Sequence, residues 1–214
     1  MNLSQIDLFA AGAAVLAVWM CGVARVKTQL WGLVLQTAML SGICVLLGTA
    51  EANRQLFFLA LVVFMIKAVG IPLFLERSAK RMAIERDNGV SVSPTLALMI
   101  GCGALFLGCF LTPKFAVPEM TNHASAGMAL ALIIIGMLLM ITRRLALSQV
   151  IGFLTMENGI FLYSLTQTHH VPMLVEMGIV FEVLIGVMIA GVFIFRINRS
   201  FEHIDVTDMR RLRH

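Results

Sequence analysis

The sequence predicts an all-α integral membrane protein with seven transmembrane helices, on three observations. Its 214 residues are 59% hydrophobic and only 13% charged, against roughly 45–50% and about 25% in soluble domains. The apolar residues fall in seven blocks near the roughly 20 residues that cross a bilayer as a helix. The Lys and Arg residues between those blocks concentrate on one side of the membrane. Helices follow by necessity, because lipid offers an open backbone group no partner. A barrel is excluded, since apolar runs such as 130–140 lack the dyad alternation of its strands. The remainder leaves no room for a folded soluble domain.

The first block, 3–24, has no Lys or Arg before Arg25, so it lacks the basic region of a cleavable secretory signal and reads as a retained helix. The second and third are 30–50 and 56–75, and Pro72 in the third should kink it, because proline cannot bond the carbonyl of Ala68. The fourth is 94–112. A proline-bearing loop, 113–123, then divides a four-helix region, 1–120, from a three-helix region, 121–214. The latter holds blocks 124–142, 145–167 and 172–195 and a basic tail. No internal repeat is legible.

Counting Lys and Arg in alternate connections gives thirteen on one side: Arg25, Lys27, Arg77, Lys80, Arg81, Arg86, Arg143, Arg144, Arg196, Arg199, Arg210, Arg211 and Arg213. The other side has Arg54 and Lys114. The N-terminus is therefore expected outside and the C-terminal tail in the cytoplasm. The formal charge of +4 reads as orientation and not as affinity for nucleic acid. Cys21, Cys44, Cys102 and Cys109 lie inside apolar blocks without the C-x-x-C or Cys/His spacing that holds a metal or iron–sulfur centre, so no cofactor is expected.

Four charged residues fall where charge is expensive. Lys67 sits near the middle of the third block, Glu157 of the sixth and Glu182 of the seventh, and Glu176 about one turn inside the outer end of the seventh. A mid-bilayer charge costs roughly 2.5–3.5 kcal/mol on insertion scales, so it faces protein or water and marks an ion or proton path. Burial in general moves carboxyl and ammonium groups toward values where a proton exchanges near neutral pH. The competing reading is static interhelical glue.

Gly178, Glu182, Gly186 and Ala190 recur at four-residue steps, a small-residue ridge that lets another helix approach the acid. Ser164 stands seven residues from Glu157, nearly above it, with Asn158 and Thr155 to either side. These could hold water beside the carboxylate or simply bond a neighbouring backbone. His169 and His170 read as solvent-facing, and the methionines and phenylalanines as packing.

Met156-Glu157-Asn158-Gly159 after Ile151-Gly152, the string Leu174 to Ile179, and Lys67 with Pro72 resemble the hydrogenase-4 component E family over essentially the whole chain. From about Ala124 onward the chain also resembles the three-helix K-type subunit of respiratory complex I, including Glu182-x-x-Ile185-Gly186 and the Ile204-Asp205 tail. Glu182 matches the second membrane glutamate of that pattern. Glu157 matches the component E motif, whereas the K-type position falls on Leu154, three residues or about 4.5 Å away along the helix.

The resemblance implies a membrane subunit of a group 4 energy-converting hydrogenase or related complex I-like assembly in a prokaryotic inner membrane. It would lie beside antiporter-like and quinone-module-like membrane subunits and a hydrogenase-type or complex I-like soluble arm. Glu157, Glu182, Lys67 and Glu176 would then serve proton translocation or its coupling to electron transfer, without a redox centre in this chain. Two other readings stand: a structural adaptor without proton transfer, and a small subunit of a multicomponent sodium/proton antiporter. A retinal pump or stand-alone receptor is disfavoured by the position of Lys67 and by a content of two Trp and one Tyr.

Overall fold

Apolar blocks without a polar stripe cannot choose a solvent face, so their helices are placed by contact with one another. The computed structural model describes residues 3–81, 87, 92–112 and 122–167, and every regular element among them is helical. These are α1 (Leu3–Gly22), α2 (Val26–Glu51), α3 (Arg54–Val63), a π-helical segment (Phe64–Gly70), α4 (Ile71–Arg81), α5 (Pro94–Leu111), α6 (His123–Thr142) and α7 (Ala146–Gln167). The expected block 172–195, with Glu176, Gly178, Glu182 and Gly186, lies outside the described residues.

Among the described residues, five stretches are long and apolar enough to cross a membrane: Gln5–Gly22, Val26–Glu51, Arg54–Arg77, Pro94–Leu111 and His123–Thr142. They match the first five expected blocks. Helix α7, at 22 residues, has the length as well. Gln149, Glu157 and Asn158 lower its hydropathy, and it is not among the five.

Polar side chains close several helix ends. Asn53 accepts from the Gln55 backbone N–H at the start of α3, and Ser93 precedes Pro94 at the start of α5 while accepting from Leu96. Asn122 accepts from Ala124 and Ser125 and donates to Asp7 on α1 at 2.7 Å. Each supplies donors or acceptors that a helix terminus otherwise lacks. Helix α2 ends on Ala52 in the left-handed region, φ 50°, with its N–H on the Gly48 carbonyl.

The third block departs from a simple proline kink. Between α3 and α4 the backbone widens into seven residues of π-helix, and the Ile71 N–H bonds back to Ile66 rather than to Lys67. Pro72 follows immediately and has no N–H, so it removes the donor that would carry the α-helical register through this point. Lys67 lies in the middle of the widened segment.

Glycine sets the spacing of the C-terminal helices. A Cβ at Gly159 on α7 would stand 2.8 Å from the Ala129 carbonyl and the Ile133 nitrogen of α6, and one at Gly152 would stand 2.9 Å from Met140 N. On α6, a Cβ at Gly136 would fall on the backbone of Met156. The two backbones are therefore in contact, as small-residue interfaces allow in membranes. Gly108 of α5 meets α6 similarly, at Ala131 and Gly127.

The hairpin α1–α2 is repeated by α6–α7 at a constant separation of 120 residues, a relation not legible in the sequence. Leu3 and His123 open the first helix of each, Gly22 and Thr142 close it, and Val26 and Ala146 open the second. In both turns a glutamine spans the corner: Gln29 Nε2 donates to the Val23 carbonyl at 2.7 Å, and Gln149 Nε2 to the Arg143 carbonyl at 2.9 Å. Three residues beyond each glutamine, Gly32 rests on Met20 and Gly152 on Met140.

A buried arginine ties the repeats together at their turns. Arg143, 3% exposed, donates through Nη2 to the carbonyls of Met20 and Cys21, at 3.2 and 2.7 Å. These are among the last carbonyls of α1, which a cation satisfies and complements. Asp87, 1% exposed, joins the same corner by donating its N–H to the Ala24 carbonyl at 2.9 Å. Burial pulls the Arg143 guanidinium below its ordinary pKa, and the Asp87 carboxylate pushes it back up.

Candidate functional site

Helix α7 is locked against α6 through its glycines, which leaves the opposite side of α7 to face α2 and the π segment. On that side Glu157 Oε1 stands 2.9 Å from Lys67 Nζ. The residues are 7% and 4% exposed, so the ion pair lies within the helix packing. Lys67 Nζ also sits over the ring of Phe161, one turn along α7, at 5.3 Å from its centroid, within cation–π range. The second carboxylate oxygen, Oε2, is buried and has no hydrogen-bond partner among the described residues.

A polar ladder adjoins the pair. Asn158 Nδ2 donates to Gln36 Oε1 at 3.0 Å and to Thr37 Oγ1 at 3.2 Å, both on α2. Gln36 Nε2 donates onward to the Ala13 carbonyl of α1 at 3.1 Å. Five residues along α2 from Gln36, Ser41 Oγ donates to the Ala60 carbonyl of α3 at 2.9 Å. Adjacent residues on α7 thus reach different neighbours: Glu157 the π segment, Asn158 helix α2.

Of the residues singled out in the sequence, the structure brings together Lys67, Glu157 and Asn158. Pro72 lies one turn beyond Lys67 and is buried against α2. Ser164 donates to its own helix at Ile160, 3.0 Å, and Thr155 to Ile151, 2.9 Å, so both hydroxyls bond backbone as serine and threonine commonly do in membrane helices. Gln36, Thr37 and Phe161 were not anticipated. The available signal was Gln36 itself, an amide in the middle of an apolar block. Among the described residues no group of three His, Cys, Asp or Glu side chains could hold a metal.

These features define a multi-pass helical membrane protein with a lysine–glutamate pair buried between its helices. The chain belongs to the family of the uncharacterized protein Rv0085 of Mycobacterium tuberculosis, with which it is 33% identical over 99% of its own length and 98% of that protein's. It is more distantly similar to hydrogenase-4 component E of Escherichia coli K12 and of Shigella flexneri, 24% identical over 83% of either chain in both cases. No family model matches the sequence, and no solved structure matches it.

Proposed function

We propose that the chain is a membrane subunit of an energy-converting hydrogenase or related complex I-like assembly, with seven spans, an external N-terminus and a cytoplasmic tail. In this reading Lys67 and Glu157, with Glu182 and Glu176 of the seventh block, take part in proton translocation or its coupling to electron transfer. The distant similarity to hydrogenase-4 component E supports the assembly. The observation that carries the chemistry is the buried pair at 2.9 Å, one of whose oxygens has no hydrogen-bond partner among the described residues.

Lys67 can pass a proton along its hydrogen bond to Oε1, converting an ion pair into a neutral amine and carboxylic acid. The transfer replaces two buried charges by two neutral groups, which removes both their desolvation cost and their mutual attraction. A change imposed by a neighbouring subunit then selects between the charged and neutral forms. Oε2 gives the carboxyl a second position through which a proton is exchanged, and Glu182 is the proposed continuation of the path. The quinone module and antiporter-like subunits are the proposed neighbours, and the soluble arm the source of energy.

The adaptor reading draws on the Asn158–Gln36–Thr37 ladder, which joins α7 to α2 without any titrating group. Proton uptake by inside-out vesicles decides between them. Glu157→Gln and Glu182→Gln complexes are expected to assemble and transfer electrons with translocation abolished, and unchanged translocation in both would leave only the adaptor. The proteins that co-purify with the tagged chain separate a hydrogenase-type arm from a sodium/proton antiporter set.

A further inference from the structure

A groove of about 180 Å³ runs between α2 and the π segment with α4. Its floor and walls are apolar, formed by residues such as Leu30, Val34, Val69 and Leu73, with Pro72 seated among them. Trp31 stands on its rim, 59% exposed. One end is charged: Lys27 and Glu76 line it, and Glu76 Oε1 is 3.0 Å from Lys80 Nζ and 4.0 Å from Lys27 Nζ. The lysine side chains remain 70% and 72% exposed despite these contacts.

We infer that this groove is a binding site for an anionic phospholipid, with an acyl chain along Leu30, Val34 and Leu73 and the phosphate between Lys27 and Lys80. Apolar walls meeting basic side chains at one end match a lipid's own division into tail and headgroup. A half-exposed indole beside them is the residue favoured at headgroup depth. Glu76 is the sole carboxylate among the lining residues, and two lysines, Lys27 and Lys80, stand against it, so cations outnumber it. Basic pockets between helices select anionic headgroups by this balance. The groove exists because the π segment and Pro72 carry α4 past α2 off the regular helical register. The inference needs only the membrane-spanning reading and is independent of any proton transfer at Glu157.

Trp31 is its own reporter, since the chain has one other tryptophan, Trp19. The full-length Trp19→Phe chain in nanodiscs would carry brominated acyl chains on either phosphatidylglycerol or phosphatidylcholine, at equal mole fraction. Bromine on phosphatidylglycerol should quench Trp31 more strongly, with enrichment falling about fivefold for each of Lys27→Ala and Lys80→Ala. Equal quenching by both lipids, or an excess unaffected by the lysine changes, overturns the site. Native mass spectrometry of the isolated complex should show phosphatidylglycerol retained by the wild type and lost from Lys27→Ala/Lys80→Ala. Equal retention would mean that the lipid is held without these lysines, and none in either that a partner's helix or nothing fills the groove; both overturn the site.

Discussion

Removing one member of the Lys67–Glu157 pair should be far more damaging than removing both. Lys67→Met leaves a carboxylate at 7% exposure without its ammonium, and Glu157→Leu leaves an ammonium at 4% exposure without the carboxylate that stood 2.9 Å away. Breaking a buried pair this way costs about 3–5 kcal/mol, whereas apolar replacement of both partners is commonly neutral or stabilising by about 1–4 kcal/mol. The coupling energy from the double-mutant cycle should therefore reach at least about 3 kcal/mol, roughly a hundredfold in the folding equilibrium. Unfolding in mixed detergent and dodecyl sulfate micelles, followed by intrinsic fluorescence, reads all four corners. The same double variant should be stable and assembled yet silent in proton translocation. Single variants each costing under about 1 kcal/mol, with the double equal to their sum, would show that the two side chains do not form a desolvated pair.

Three further perturbations probe the frame around the pair. Gly136→Ala should destabilise the chain by about 1–3 kcal/mol by forcing α6 from the Met156 backbone, while Gly103→Ala, with nothing within 4 Å of the added carbon, should be neutral or better; thermal scans of the two proteins make the comparison. Asn158→Leu strands the buried Gln36 Oε1 and should cost about 1–3 kcal/mol in the same unfolding assay, with Gln36→Leu/Asn158→Leu recovering part of it. Arg143→Ala removes two charge-assisted bonds to the end of α1 and should cost about 1.5–3 kcal/mol per bond broken, detected as faster amide exchange at Cys21, Gly22 and Ala24.

What was legible in the sequence follows from the range of the physics involved. Hydropathy acts residue by residue, so blocks three to five were placed within a few residues of the helices that form. The depth of Lys67 and Glu157 could be counted along their own helices, but their pairing could not, because the residues are ninety positions apart and meet only through the azimuths of two helices. The azimuth of α7 is set by Gly136, Gly152 and Gly159 at backbone contacts between α6 and α7, information that no single block contains. Pro72 announced a disturbance but not its form, since a kink and a π-helix relieve the same missing donor. Helical spacing placed Ser164 near Glu157 and left open whether its hydroxyl holds water or bonds backbone; it donates to the Ile160 carbonyl.

The repeated hairpin bears on whether Glu157 is scaffolding. One hundred and twenty residues earlier, the same position of the first hairpin is Thr37, 1% exposed. Both side chains lie near the middle of the second helix of a hairpin with the same turn, the same first helix and the same start of the second. Packing at that position is met by a threonine that accepts one hydrogen bond from Asn158. A hairpin of this form therefore does not require an acid to hold together. The second copy nevertheless carries one, opposite a lysine, at an insertion cost of roughly 2.5–3.5 kcal/mol for each charge at the centre of a bilayer. Asn158 shows how cheaply the same helices are joined by neutral groups, one residue further along. A charge pair in place of a hydroxyl adds little adhesion for that cost, which favours the proposed exchange of a proton between Lys67 and Glu157 over a purely adhesive role.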